Sequence, residues 1–321
     1  MVAISNRHLL QQGPVLGALG RTVAGALRQR FEATQTTQKA PPLPGPEFLI
    51  EAAAPSAELR DDYVRYLGGD PRAYRGQVPP HLFPQFCLPA LARTLEGVPY
   101  PLLQVVNGGC RLERLAPLPA DQPIRIRARL EGIDDNGRRA VFHQRAIVGA
   151  GDVDEALRID CYPIVVLRGA ARREAPASAK PTAEAELPAR VPQGSRELCR
   201  RRLGKGAGLD YAKLTGDFNP IHWIKPYARS AGFASVILHG FASFAFAFEG
   251  LSTQLLGGDA ARLRSLDVKF TRPLPLPREV GLFTRGSDNG EHGRARGQVF
   301  LADAELAPPY LAGHFTLGAL P

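Results

Sequence analysis

Residues 211–241 read YAKLTGDFNPIHWIKPYARSAGFASVILHGF. Asp217, Asn219 and His222 fall within six residues, and Pro220 fixes the backbone between them. From Gly232 to Phe248 the only ionisable side chain is His239. A polar cluster feeding a long apolar segment mounts reactive groups on a rigid core element. Pro220 pushes Asn219 out of the helical region, so Asp217 to Asn219 is expected as a loop. Pro220 can then open a short helical turn that carries His222. Such a turn holds Asp217 and His222 around one water. A carboxylate accepts hydrogen bonds, and an imidazole titrating near about 6.5 moves a proton either way. The same residue types also serve as turn formers, caps and structural histidines, so the spacing by itself leaves both readings open. Thr215 and Gly216 read as turn formers, and Tyr211 as a packing residue.

Outward from this stretch, residues 240–251 (GFASFAFAFEGL) form a helix that is apolar all round and therefore expected to be fully buried. Strand-like runs come next at 262–272, 278–285, 294–302 and 310–317, and a short one precedes the motif near 197–203. Ser287-Asp288-Asn289-Gly290 is a hairpin-turn signal. Upstream, Pro80 to Gly97 reads as a helix started at Pro84 or Pro89. Strands are expected at 101–107, 123–131, 139–149 and 156–167, with a turn at Asp134-Asp135-Asn136-Gly137. The alternation in IRIRARL is that of a sheet with one wet face.

These readings divide the chain into residues 1–47, 48–168, 169–194 and 195–321. The first is a leader with helical spacing from Val15 to Leu27, running into a Pro-rich linker. Arg7, Arg21, Arg28 and Arg30 precede its first acid, Glu32, a bias shared with transit peptides and peripheral membrane helices; a helix packed on the body is the plainer expectation. Residues 169–194, rich in Ala, Pro, Glu and Arg, are expected as an exposed linker.

The two large segments repeat each other. Leu112–Ile126 (LERLAPLPADQPIRI) aligns without gaps on Val268–Leu282 (VKFTRPLPLPREVGL), with Pro117-Leu118-Pro119 on Pro273-Leu274-Pro275. Each copy is a helix with strands after it, and a buried helix wrapped by a curved antiparallel sheet is an α+β layer solution. The copies differ at the polar cluster. The first reads YVRYLGGDPRAYRGQVPP over 63–80, with Asp70 but no matched His and no Asn-Pro. Phe83-Pro84 is expected where the second has His239-Gly240, and a proline has no N–H to donate. One site per chain, in the second copy, is the expectation.

Composition narrows the partners. The 321 residues are 44% hydrophobic and 22% charged, which allows a globular core. The net charge of +9 comes mostly from Arg, since only six of the 40 basic residues are Lys. Basic chains favour polyanions such as nucleic acid, an anionic membrane, an acyl carrier protein or coenzyme A phosphates, but arginines scattered like these read first as a diffuse solvated charge. No aromatics alternate with the arginines, so no nucleic-acid platform is expected. Cys87, Cys110, Cys161 and Cys199 lack metal-site spacing, which suits reduced cysteines in a cytoplasmic protein. No metal or cofactor is expected. No run approaches the ~20 apolar residues of a membrane-spanning helix. The phosphate-loop, nucleophile-elbow and dinucleotide fingerprints are also missing.

Tyr211, Leu214, Thr215, Gly216, Asp217, Asn219, Pro220, Ile221 and His222, with Ile237-Leu238-His239-Gly240 downstream, resemble the two motifs of the MaoC-like, or hydratase 2, family of (R)-specific enoyl-thioester hydratases. The resemblance covers about residues 196–318. It implies a hotdog fold for each half and a double hotdog overall, two curved antiparallel sheets each wrapped around a central helix. It implies that Asp217 and His222 activate a water that adds across the double bond of a 2-enoyl thioester. Which of the two is the base stays open. The Gly240 N–H, at the start of the buried helix, is the candidate donor to the thioester oxygen. Asn219 either orients the loop or helps hold the water, while His239 is expected to hold the turn. A serine that some relatives carry on this helix corresponds to Phe248. Lys269 and Arg272 flank a strand that lies near the coenzyme in relatives, where they are either phosphate contacts or ordinary surface charge. The partner is an acyl-CoA or acyl-ACP thioester. The expected activity is that of a 2-enoyl-CoA hydratase or 3-hydroxyacyl-CoA dehydratase. A 3-hydroxyacyl-ACP dehydratase and a non-catalytic acyl-thioester-binding protein are the alternatives. Either a monomer with internal pseudo-dimer packing or a homodimer fits, and the degenerate half would lend part of the acyl pocket.

Overall fold

Alternation explains the sheet. In β3 (Ile124–Asp135), Ile124, Ile126, Ala128 and Leu130 face inward and are buried, while Arg125, Arg127 and Arg129 face out. The computed structural model describes residues 4–18, 20, 41–102, 105–167, 187–289 and 295–318. The outward arginines meet acids on the same face: Arg125 with Asp154 at 3.1 Å, Arg127 with Glu155 at 3.3 Å, and Arg129 with Glu131 at 2.9 Å. A solvated ladder of this kind contributes little stability per pair but keeps the face wet.

The remaining strands are β1 (Phe48–Ala52), β2 (Val106–Arg114), β4 (Arg139–Ala150), β5 (Val153–Val166), β6 (Arg196–Leu203), β7 (Leu263–Phe270), β8 (Arg278–Asn289), β9 (Ala295–Ala302) and β10 (Leu311–Leu317). They form one ten-stranded sheet in the order β1-β3-β4-β5-β2-β7-β10-β9-β8-β6. That order reads the same from either end once β1–β5 are exchanged for β6–β10, so the sequence repeat is a structural one. The two sheets expected are the two halves of this sheet, joined where β2 pairs antiparallel with β7, Arg111 opposite Asp267 and Leu112 opposite Leu266. The edges left over, β1 and β6, lie at the far ends.

The helices are α1 (Ala57–Leu67), α2 (Phe83–Arg93), α3 (Ala207–Thr215), α4 (Lys225–Ser230) and α5 (Gly240–Gly250). α2 and α5 are the central helices of the two halves. Every residue of α5 from Phe241 to Gly250 is buried, the apolar ones as expected and the acid Glu249 with them. Pro84 lies in the first turn of α2, where its missing N–H is harmless, and Pro89 lies inside the helix. The helices meet through Phe83, which packs edge-on to Phe241 and Phe244 at 5.2 and 6.0 Å. One apolar cluster then runs through both halves, from Leu59 and Phe86 to Phe248 and Phe315.

Three local expectations are revised. The strand expected at 101–107 is β2, which begins at Val106 and carries Gly108 and Gly109. Those glycines hide its strand character but are needed at the seam: a Cβ on Gly109 would stand 2.4 Å from the Val268 carbonyl oxygen. Phe83-Pro84 is not the counterpart of His239-Gly240. The isolated bridges Gln77–Pro119 and Ile237–Pro275, with Val78 N–H on the Leu118 carbonyl and Leu238 N–H on that of Leu274, put Pro79-Pro80 there. The missing N–H is therefore the same, from a different proline. Of the expected linker, residues 169–186 lie outside the described residues. Residues 187–194 are partly packed rather than exposed, with Val191 fully buried against Phe283 and Phe300.

At the other end, residues 21–40 of the expected leader lie outside the described residues, as do 290–294 beside the expected turn at 287–290. Asn6–Gln11 form a 3-10 turn and residues 13–18 a helical one. No helix among the described residues is long and apolar enough to cross a membrane.

Candidate active site

α3 ends as a sequence with Gly just past its last residue should. Gly216 takes the left-handed conformation, φ 81°, and its N–H returns to the Ala212 carbonyl. The chain leaves the helix at Asp217. Asn219 then caps a 3-10 turn, Pro220–His222, its side-chain oxygen accepting the Ile221 N–H at 3.3 Å. The Asp217 carboxylate accepts the Asn219 N–H at 3.4 Å. The loop and short turn expected from Pro220 are thus present, and Asn219 spends its side-chain oxygen on the loop. Gly208 lets the turn sit on α3, because a Cβ there would stand 2.1 Å from the His222 carbonyl oxygen.

Residues 236–238 fasten the turn to the body. Ile237 N–H donates to the Ile221 carbonyl, and the Ile237 carbonyl accepts from His222 Nδ1 at 2.9 Å. A carbonyl can only accept, so Nδ1 carries the proton and Nε2 of the neutral ring keeps its lone pair. His239 Nε2 donates to the backbone carbonyl of Asp217 at 2.8 Å, and its ring stacks on His222 with centroids 3.5 Å apart. Asp217, His222 and His239 each bring an oxygen or nitrogen within 4.8 Å of those of the other two. No other grouping of three such side chains is that close among the described residues.

Burial sets the electrostatics. His222 is 7% exposed and His239 1%, while the Asp217 side chain stays 19% exposed and in touch with solvent. Removal from water, reinforced by the neighbouring His239 ring and partly opposed by Asp217, pushes His222 down to about 3. Burial likewise pushes His239 down to about 4, against its bond to the Asp217 carbonyl. Both rings are neutral at physiological pH, which suits a proton acceptor beside a carboxylate.

Gly240 is the first residue of α5, so its N–H has no acceptor within the helix. A Cβ there would fall 2.7 Å from two carbons of the Phe270 ring, so glycine is required for packing as well as for access. Tyr211 is a packing residue, buried, with its ring 5.0 Å from His239. Phe241, Phe244, Phe246 and Phe248 are core, and Phe248 stacks on His81 of the first half at 4.6 Å. Arg272 is committed, its guanidinium 3.8 Å from the Tyr310 ring centroid and 3.4 Å from Asp303. Lys269 is exposed on β7. Sequence reasoning gives His239 only the turn. Its ring also ties the Asp217 loop to the start of α5, a link that no spacing rule encodes.

Residues 190–300 match the family model of the MaoC like domain. That match takes in most of the second half. Over 196 residues the chain is 29% identical to 3-hydroxyacyl-thioester dehydratase Y of Mycobacterium tuberculosis, covering 59% of this chain and 64% of that protein. Over 202 residues it is 28% identical to the peroxisomal enoyl-CoA hydratase 2 of Arabidopsis thaliana, covering 60% and 64%. The match thus spans about 64% of the length of these curated relatives. Among solved structures, the MaoC-like dehydratase of Phytophthora capsici superposes with a TM-score of 0.65 at 21% identity, over 85% of this chain and 96% of that one. A double-hotdog protein of Mycobacterium tuberculosis gives 0.56 at 12%, over 85% and 97%. At such identities the likeness is one of fold, and the fold is a double hotdog. The matched half holds Asp217, Asn219, His222 and Gly240 on adjoining elements; its partner half has no residue of these types at the matching positions, apart from the capping Asp70.

Proposed function

We propose that this protein adds water reversibly to trans-2-enoyl thioesters, giving (R)-3-hydroxyacyl thioesters, and that the site is Asp217, His222, Asn219 and Gly240. The observation that carries the reading is the pairing of a solvent-touching carboxylate with a neutral imidazole whose Nδ1 is held by the Ile237 carbonyl. In the hydration direction the water oxygen bonds to C3 and the π electrons move toward the thioester carbonyl. One member of the Asp217–His222 pair takes the proton of the water, and the pair returns a proton to C2. The Gly240 N–H meets the charge that develops on the thioester oxygen, where a preorganised donor contributes about 3–4 kcal/mol. Asn219 keeps the loop in shape through its side-chain oxygen. The curated relatives named above as a hydratase and as a dehydratase catalyse the two directions of this chemistry, which supports the reading. The thioester carrier is coenzyme A or an acidic acyl carrier protein, and a chain of +9 suits either. One chain, or a homodimer of chains, in the cytoplasm completes the proposal.

The test is hydration of C4 to C16 enoyl-CoAs and of the same chains on a carrier protein, with product stereochemistry. Turnover in the wild type should fall by about 10²- to 10⁴-fold in Asp217→Asn and in His222→Ala. Unchanged hydration of a good substrate by both folded variants would remove the reaction from this site.

A further inference from the structure

Residues 4–18 lie along α1 and α3 and are tied to both. His8, fully buried, has Nε2 2.8 Å from a carboxylate oxygen of Asp62 on α1. Lys213 on α3 donates to the Ile4 carbonyl at 3.0 Å. Gln12, also fully buried, donates its amide to the carbonyls of both Lys213 and Leu214 at 3.1 Å. Val15, 1% exposed, packs on Gly216: a Cβ there would fall 2.7 Å from the Val15 Cβ.

These contacts meet at one place, the last turn of α3. The final four carbonyls of a helix have no acceptor role within it and need outside donors. Gly216 N–H serves Ala212. Gln12 serves the next two carbonyls, and the residue after Gly216 is Asp217. The helix end that launches the proposed water-binding carboxylate is thus capped by a side chain some two hundred positions away in the sequence. Reacting groups misplaced by as little as about 1 Å can lose about 10²-fold in rate, so this cap bears on turnover as well as on stability.

We propose that Gln12 is a positioning residue for Asp217, and that residues 4–18 form a strap whose docking sets the geometry of the Asp217–His222 pair. The inference rests on the hydratase reading for its kinetic arm and is independent of it for its structural arm. The variant is Gln12→Met in the full chain, which keeps length and loses both donors, with Leu10→Ala, at a side chain 90% exposed, as control. Two quantities are measured on the folded variant: hydrogen exchange of the Gly216 to Phe218 amides, and kcat and KM for the best enoyl thioester. The expected result is faster exchange confined to this loop, kcat down at least about tenfold and KM within about twofold, with Leu10→Ala at wild-type values. Should Gln12→Met not fold, Val15→Ala is measured the same way and should show the same split, smaller in size. Exchange unchanged, or kcat unchanged once the folded fraction is accounted for, overturns the proposal. A wild type that hydrates no enoyl thioester sinks the hydratase reading instead, and the exchange data still decide whether Gln12 holds the loop.

Discussion

The ends of α1 and α3 are two versions of one device. Each helix stops at a left-handed glycine, Gly68 (φ 85°) and Gly216 (φ 81°). After each comes a capped 3-10 turn that opens with proline: Asp70 caps Pro71–Tyr74, and Asn219 caps Pro220–His222. The second half has one more residue between glycine and proline, and puts Asp217 where the first has Gly69. The space in the first half is filled instead by Glu249, from the far end of α5. A Cβ on Gly69 would stand 1.8 Å from Glu249 Oε1. That carboxylate is buried, accepts from Tyr74 OH at 2.8 Å and lies 3.3 Å from His81 Nε2. Asp70, the acid that the sequence sets against Asp217, is the cap and pairs with Arg72 at 2.7 Å. The scaffold is therefore indifferent to chemistry. One copy leaves its loop open to solvent beside a carboxylate, and the other closes the same loop over a buried acid.

The largest test of this contrast exchanges the residues after the two glycines. Gly69→Asp drives a second carboxylate into Glu249 and should cost about 3–5 kcal/mol in denaturant unfolding. Asp217→Gly should cost under about 1 kcal/mol while abolishing turnover. Equal destabilisation by both would break the comparison. Acidification comes next. His222 and His239 are held at about 3 and about 4 when folded, against about 6.5 unfolded, so the unfolded chain binds more protons. Their contribution is fully present above about pH 6.5 and drains away as pH falls toward 4, by at most about 2.7 kcal/mol per unit for the two. Burial also lowers His81 in the first half, adding to the same slope. Unfolding midpoints across about pH 4 to 8 measure it, and a flat profile would contradict the buried neutral rings. The smallest effect belongs to Glu249→Gln, which can still accept from Tyr74. It should change stability by about 1 kcal/mol and leave kcat within about twofold. A collapse of turnover there would give the first half a share in the chemistry.

Much of this is legible in the sequence itself. The α+β class, the repeat, most of the strands to within a few residues, and the loop at Asp217 come from alternation, turn residues and Pro220. β2 is misplaced by such reasoning because Gly108 and Gly109 answer to the neighbouring Val268 backbone and the Ile164 side chain, not to strand propensity. The Pro79-Pro80 match escapes it because the 3-10 turn Pro80–Leu82 shifts the first copy's helix start relative to the second. Gln12 is invisible as a site residue, and His239 shows in the motif without its bond to the Asp217 carbonyl. Each acts by a hydrogen bond to the backbone of a residue distant in sequence, and local patterns carry no trace of such a bond.

The β2–β7 seam has one more consequence. Two identical subunits pairing through such an edge would be bound by symmetry, so any replacement in one would recur in the other. With both partners on a single polypeptide, a residue can be altered on one side alone. Glu249 can seal one loop without a twin sealing the other, and a double-barrelled frame is free to carry a single muzzle.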